Sequence, residues 1–361
     1  MALIKMKIIF VVPNLSAGGA ERVISILANS FLKKNIDVDI LLLKNREVFY
    51  SISRGVNLVY LGNDLLLISK IKACRIIRSY LKNERKKYKK ILLIPFLDVS
   101  LKRVLLASAG LRMTIIASER NDPYQRGNSI SDRMKANLPY LMSSCCIFQT
   151  ADAAKYYCMS VQKKSVVIMN PLTVPADICW RGKESKRIVS VGRLEPQKNQ
   201  MMLLEAFEQV HDEYPEYILE IYGEGSMRDF LQAKIKELGL EQFVFLKGHS
   251  SNILSVLEKS FAFVLSSDYE GMSNALIEAL AVGMPVVTTD HPCGGARALV
   301  DDGINGILVQ TGNVDEMVSA TRRIIEDTDF AANIAENACQ IRNLLSVDRI
   351  SDEWLKVIMK L

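Results

Sequence analysis

Short runs of β-branched and other apolar residues alternate with amphipathic stretches of helical period along this sequence, and that alternation restricts the chain to parallel α/β sheets. Lys7 to Pro13 reads as a buried strand. NLSAGG (Asn14 to Gly19) is a tight turn, Val23, Leu27 and Phe31 fall on one face of a helix, and Ile36 to Leu43 is a second strand. Further strands are predicted at Ile91 to Ile94, Thr114 to Ala117, Cys145 to Gln149 and Val166 to Met169, before a connector at Asn170 and Pro171. The alternation then restarts. Strands are predicted at Arg187 to Val191, Ile218 to Tyr222, Phe243 to Leu246, Phe261 to Leu265, Val286 to Thr289 and Asn305 to Val309, with helices between them, including Met201 to Glu213. Only helical patterns follow. Val347 to Leu361, carrying Trp354, Val357 and Ile358, is expected to return to the first domain, giving domains at 1–170 with 347–361 and at 171–346. Two such sheets place a ligand in the cleft between them.

The 361 residues, 49% of them hydrophobic, suffice for two cores. Seven cysteines, an odd number with no CxxC pair, argue against a disulfide framework and for a reducing, cytoplasmic compartment. Lys5 and Lys7 precede an apolar run that spans only Ile8 to Val12, which is a strand rather than a signal peptide. Charge divides unevenly: residues 1–170 hold 28 Lys and Arg against 11 Asp and Glu, and the remainder hold 18 against 29. Much of the excess lies between Leu65 and Lys90, where Ile68, Ile71, Cys74, Ile77 and Leu81 are expected to line one helix face amid ten basic residues and one acid, Glu84. Such a run is either a solvated helix face or a contact with an anionic membrane; no aromatic interleaving supports nucleic acid.

Ser266 to Asp290 (SSDYEGMSNALIEALAVGMPVVTTD) carries the densest chemistry. A polar, Gly-containing loop leads into a helix at Ala275 to Val282, and a helix N-terminus opening from such a loop suits a phosphate or diphosphate. Glu270 in the loop and Glu278 on the helix cannot read phosphate. Carboxylates there accept hydrogen bonds from hydroxyls, which points to a sugar and a ribose. The Gly18–Gly19 pair does not fit GxGxxG and on its own reads equally as a tight strand-to-helix turn.

Taken together, GGAER (Gly18 to Arg22), SERNDP (Ser118 to Pro123), VGRLEPQKN (Val191 to Asn199), YGEG (Tyr222 to Gly225), EGMSNALIE (Glu270 to Glu278), GMPVVTTD and HPCGGAR (His291 to Arg297) resemble the retaining glycosyltransferases of family 4. The resemblance implies the GT-B fold: α/β, two Rossmann-like domains with parallel sheets facing across a cleft. It implies that Arg193 and Lys198 hold the diphosphate of a nucleotide-sugar donor, that Glu270 meets the transferred sugar with Gly271, Met272, Ser273 and Asn274 beside it, and that Glu278 meets the ribose. Gly18, Gly19 and Gly248 join the donor side. The residue-level alternatives are an ordinary surface pair for Arg193 and Lys198 and a solvent-facing helix residue for Glu278.

Many relatives place a His in the N-terminal domain, whereas His211, His249 and His291 all lie in the second half; Arg120 and Asn121 stand as candidates for that side of the site. An Asp-x-Asp, Asp37 and Asp39, falls inside a strand pattern and reads as structural rather than as a metal site, and the resemblance implies a metal-independent reaction with no cofactor. The resulting expectation is transfer of a hexose or N-acetylhexosamine, with retention, from a UDP-linked donor to a glycan or polyprenyl-diphosphate-linked acceptor in bacterial surface polysaccharide synthesis (O-antigen or capsule). The protein is expected to be cytoplasmic and peripheral at the inner membrane face, with its basic first domain against anionic lipid. The alternatives are a nucleotide-sugar epimerase of the same architecture and a non-catalytic glycan- or membrane-binding protein. A nicotinamide dehydrogenase is disfavoured by the missing GxGxxG.

Overall fold

The computed structural model describes residues 6–16, 18–45, 47–62 and 64–361; Lys5, at the head of the first apolar run, and Ala17 of the first turn lie outside the described residues. The chain divides into two compact units, Met1–Pro171 with Ser346–Leu361, and Leu172–Leu345. In the first, β1 (Met6–Val12), α1 (Gly19–Lys33), β2 (Asp37–Leu42), β3 (Asn57–Tyr60), α2 (Lys70–Lys87), β4 (Lys90–Pro95), α3 (Asp98–Ser108), β5 (Thr114–Ser118), α4 (Ile130–Leu141), β6 (Cys145–Phe148), α5 (Ala151–Lys155), α6 (Met159–Gln162) and β7 (Ser165–Val167) follow one another. The strands form a seven-stranded sheet in the order β3-β2-β1-β4-β5-β6-β7, every neighbouring pair parallel. Because parallel crossovers are right-handed, the helices leading rightward from β3, α2 to α6, cover one face and α1 the other.

The core follows from that layering. Phe10 in β1 stacks on Phe31 of α1 and meets Phe96 edge-on, each ring centroid 6.0 Å away. The last helix of the chain, α14 (Val347–Lys360), belongs to this unit: fully buried Trp354 stacks on Phe96 at 6.1 Å, and Ser351 shares a 2.9 Å hydrogen bond with Ser30 of α1. The apolar stripe of α14 therefore completes a core that α1 alone leaves uncovered.

Two details of this unit differ from the sequence expectation. Strand β3 carries only half-buried and exposed side chains and so lacks the apolar signature that marks the others. In α2 the buried face is Ala73, Ile77, Leu81 and Glu84, while Ile71 is 68% exposed and Ile68 precedes the helix, which Ser69 caps by accepting from the Lys72 N–H. Glu84 sets that phase: its carboxylate takes 2.8 Å and 2.7 Å bonds from Lys7 and Lys87, and Lys7 also pairs with buried Asp39 at 2.8 Å. A charge buried only with partners pulls the helix round to keep them. Asp39 is thus fixed in the strand layer, in agreement with its structural reading.

The second unit comprises β8 (Arg187–Val191), α7 (Gln200–Glu213), β9 (Ile218–Tyr222), α8 (Arg228–Glu237), β10 (Val244–Gly248), α9 (Ile253–Glu258), β11 (Ala262–Leu265), α10 (Asn274–Val282), β12 (Val286–Asp290), β13 (Ile307–Gln310), α11 (Val314–Glu326), α12 (Thr328–Ala338) and α13 (Ile341–Leu344). Its six strands run parallel in the order β10-β9-β8-β11-β12-β13. Chain order reverses direction between β8 and β11. Loops leaving those two strands diverge to opposite faces, which opens a crevice at their carboxyl ends.

In the first unit the SERNDP loop after β5 is locked from within. The Glu119 carboxylate, 2% exposed, accepts from the Tyr140 and Tyr157 hydroxyls at 2.8 and 2.9 Å, from the Arg126 guanidinium, and from the backbone N–H groups of Arg120 and Asn121. Glu119→Ala strands Arg126 and two buried hydroxyls, so it should lower stability by roughly 3–5 kcal/mol, read from the midpoint of a urea melt.

Candidate functional site

Three loops nest at the carboxyl ends of β8, β9 and β10. The Gly192 and Leu194 N–H groups donate to the carbonyls of Tyr222 and Glu224 at 2.9 and 3.0 Å, and the Gly223 N–H donates to the Gly248 carbonyl at 2.9 Å. Nesting this close requires glycine. A Cβ on Gly223 would lie 1.9 Å from the Gly192 carbonyl oxygen, one on Gly225 2.2 Å from that of Leu194, and Gly223 has φ +142°. The glycine spacing of GRLEPQKN and YGEG is in this sense a packing code for two loops.

On that platform Lys198, half-buried at the end of a short 3-10 turn (Pro196–Lys198), runs its stem past Gly192 and places Nζ on the Glu270 carboxylate. Glu270 comes from the loop after β11. Ser267 donates to its Oε1 at 3.1 Å, and Gln197 donates to its Oε2 at 3.3 Å and to the Tyr269 carbonyl at 2.8 Å. Burial works against the ionised carboxylate, yet Lys198 and Ser267 outweigh it and hold Glu270 below the usual carboxylate range. The two loops are stitched together elsewhere as well: the Asp268 N–H donates to the Gln197 carbonyl at 3.0 Å, Ser266 Oγ to that of Lys198 at 2.9 Å, and Asn199 Nδ2 to Asp268 at 2.7 Å. Arg193 stands exposed beside them, its guanidinium donating to Gln197 Oε1 at 3.2 Å.

From this loop the chain enters α10. Ser273 is its N-cap and accepts from the Leu276 N–H at 3.5 Å; Gly271, Met272 and Ser273 are buried, and Asn274 is half-buried. Glu278, one turn further, is 5% exposed, which rules out the solvent-facing alternative. At the end of β12, His291 is 1% exposed, and the loop behind it folds so tightly that a Cβ on Gly295 would sit 1.8 Å from the Gly271 carbonyl oxygen and 3.0 Å from His291 Cε1. His291 is therefore part of the same cluster as Glu270.

Sequence reasoning assigned no role to Gln197, Ser267 or His291. Gln197 lies inside VGRLEPQKN and His291 opens HPCGGAR, so both motifs contained the signal; Ser267 carried none, since only the fold turns its hydroxyl onto Glu270.

The remaining candidates fall elsewhere. Gly248 ends β10 with φ +73° against Glu224. In the first unit, Gly18 is the extended N-cap of α1 and Gly19 its first residue, with the Tyr50 hydroxyl accepting from the Gly18 N–H at 3.2 Å and donating to its carbonyl at 2.9 Å. Asn121 is exposed. Arg120 is buried: it donates to Ser118 at 2.8 Å and Asn170 at 3.1 Å, and lies over the rings of Phe96 and Trp354 at 4.8 and 5.4 Å. That burial pulls its pKa down to about 9, against the pull of Glu119. Arg120 thus ties the SERNDP loop to α14, while Asn121 presents its side chain to solvent.

Residues 181–340 match the family described as glycosyl transferases group 1. Over 98% of both chains the sequence is 28% identical to a GalNAc-alpha-(1->4)-GalNAc-alpha-(1->3)-diNAcBac-PP-undecaprenol alpha-1,4-N-acetyl-D-galactosaminyltransferase of Campylobacter jejuni. A second transferase of that organism, acting on N-acetylgalactosamine-N,N'-diacetylbacillosaminyl-diphospho-undecaprenol, is 40% identical over 144 residues, 40% of this chain and 38% of its own. Among solved structures, Anabaena HepE in complex with UDP and glucose superposes with a TM-score of 0.80 at 20% identity, covering 99% of this chain and 100% of HepE. TarM superposes with 0.83 at 16% identity, covering 99% of each chain. The second unit is a group 1 glycosyltransferase domain, and the two parallel-sheet units together have the GT-B glycosyltransferase fold. The Lys198–Glu270 cluster lies within the matched residues.

Burial also sets the protonation of His291, lowering it from 6.5 to about 4 in spite of Glu270 and Asp290. The folded protein keeps this imidazole neutral where an unfolded chain binds a proton, so its contribution to stability is full above about pH 6.5 and is lost as pH falls toward 4. Over that window His291→Gln should flatten the loss of unfolding free energy by on the order of 3 kcal/mol, measured by denaturant titration at each pH; parallel curves for the two proteins would contradict it.

Proposed function

We propose that the chain transfers a hexosyl or N-acetylhexosaminyl group, with retention, from a UDP-linked donor to a hydroxyl of a polyprenyl-diphosphate-linked glycan in the assembly of bacterial surface polysaccharide. The observation that carries this reading is the half-buried Lys198–Glu270 ion pair at the β8/β11 switch point, in the loop that leads into α10 and its buried Glu278. Support comes from the Campylobacter jejuni transferases, whose acceptors are undecaprenyl diphosphates, and from HepE, which holds UDP and glucose in the same fold.

The cluster supplies what such a transfer needs. As the bond to the anomeric carbon breaks, negative charge grows on the departing diphosphate, and exposed Arg193 with Lys198 are the cations in position to neutralise it. Lys198 gives up its contact with Glu270 to do so. Glu270 then accepts from the sugar's hydroxyls while Ser267 and Gln197 keep it oriented. A carboxylate engaged by Ser267, Gln197 and the sugar's own hydroxyls is a poor attacking group, so retention proceeds by front-face attack, with the leaving phosphate taking the acceptor's proton, rather than by double displacement. Glu278 accepts from the ribose, and the N-terminus of α10 faces the phosphates. The reaction is expected to run without a metal ion. The positive first unit meets the anionic surface in which the acceptor is anchored, placing the protein at the inner face of the cytoplasmic membrane.

Lys198→Ala and Glu270→Ala should each lower kcat/KM for sugar transfer by roughly 10²–10³ with the fold intact by circular dichroism, although loss of one partner of the pair lowers the melting temperature. Transfer from UDP-sugars to a lipid-linked acceptor, followed by chromatography of the labelled product, measures this, and near-normal turnover in either variant overturns the assignment. UDP should raise the melting temperature more than GDP or ADP, and EDTA should leave turnover unchanged; inhibition by EDTA that Mg²⁺ reverses would refute the metal-free reading.

A further inference from the structure

Helix α4 is anchored on one side only. Its buried residues, Ala136, Asn137, Pro139 and Tyr140, face the first unit, with Tyr140 bonded to Glu119 and the Asn137 side chain accepting from the Cys158 N–H at 2.8 Å. The opposite side carries Ile130, Met134, Leu138 and Leu141, which are 82%, 69%, 59% and 43% exposed. At 3.6 residues per turn these four lie within an arc of roughly 80° along about 16 Å of helix. A continuous apolar stripe on a soluble surface marks an interaction site.

Its surroundings indicate the partner. Exposed Arg133, which lies over the Tyr156 ring at 5.2 Å, and Lys135 flank the stripe on either side, and the carboxylate of the nearest acid on the helix, Asp132, accepts from the Ser129 cap hydroxyl. Helix α3 packs between α4 and α2, and there a second apolar pair, Ile71 and Leu106, lines a groove of about 410 Å³ ringed by Lys70, Arg75 and Arg78. The Arg78 guanidinium donates to the carbonyls of Ala107 and Ala109 at 2.9 and 2.6 Å, so α2 and α3 are fixed to one another. Apolar side chains rimmed by cations, on the helix layer that covers one face of the sheet, complement a surface that is apolar beneath and anionic above. No helix among the described residues is long and apolar enough to cross a membrane, so the contact is a shallow one.

We propose that α4 is the element that inserts into an anionic bilayer, its Ile130–Leu141 stripe lying at the boundary of headgroups and acyl chains while Arg133 and Lys135 reach the lipid phosphates. This rests on the reading of a membrane-anchored acceptor but assigns the contact to a different element from the basic α2, whose Lys and Arg supply charge around the groove.

Co-sedimentation with phosphatidylglycerol and phosphatidylcholine vesicles tests it. The wild type should pellet with phosphatidylglycerol vesicles and Met134→Ser/Leu138→Ser should bind at least about tenfold more weakly, with unaltered circular dichroism and melting because both side chains are exposed. In an otherwise wild-type chain, Met134→Trp should shift its emission to shorter wavelength on adding the same vesicles. Transfer to a short water-soluble acceptor should be the same in wild type and double variant; loss of that transfer in the wild type would refute the proposed function, while leaving vesicle binding to decide the role of α4. Equal vesicle binding by the double variant, or none by the wild type, overturns the insertion. So does a dimer in gel filtration that the double variant abolishes without change in vesicle binding, which would give the stripe to a second copy of the chain.

Discussion

A parallel sheet with helices on both faces has no wet surface except at its strand ends, so polar chemistry in such a protein must be done there. In the second unit this constraint fixes nearly everything about the site. The β8 and β11 loops diverge at the switch point, and the β8, β9 and β10 loops nest through contacts only glycine permits. Lys198 and Glu270 are then brought together from strands adjacent in space but 72 residues apart in sequence. The ion pair is the outcome of the topology, and the glycines are its precondition.

How such a pair would serve the proposed transfer follows from its setting. With Lys198 and Ser267 on one oxygen and Gln197 on the other, Glu270 remains ionised and oriented. In the proposed transfer a diphosphate offers Lys198 a stronger partner than a single carboxylate, and the site would then pass from an internally neutralised state to one neutralised by substrate. Neutral His291 behind Glu270 adds no competing charge.

Much of this was legible in the sequence, for different reasons in different places. The strands that are buried on both faces announce themselves as continuous apolar runs, from Ile8 to Val12 and from Ala262 to Leu265. Half-exposed β3 has no such run and was silent. The face of α2 was misread because periodicity counts Ile71 as core and Glu84 as surface, whereas Lys7 and Lys87 make the carboxylate worth burying. At the site, the spacing of Glu270 and Glu278 and the two loop motifs could be read directly. The hydroxyl of Ser267 and the packing of His291 against Gly295 arise from tertiary approach, and no local pattern encodes them.

The return of α14 to the first unit also bears on time. Trp354 stacks on Phe96 of the Phe10–Phe31–Phe96 cluster, and Arg120 lies over the rings of both Phe96 and Trp354. During synthesis those residues emerge early, and their lid is translated only after the whole second unit, Leu172–Leu345. The second unit is contiguous and can fold as soon as it leaves the ribosome. The first unit waits, so the domain begun first is finished last, with an apolar face open for the interval.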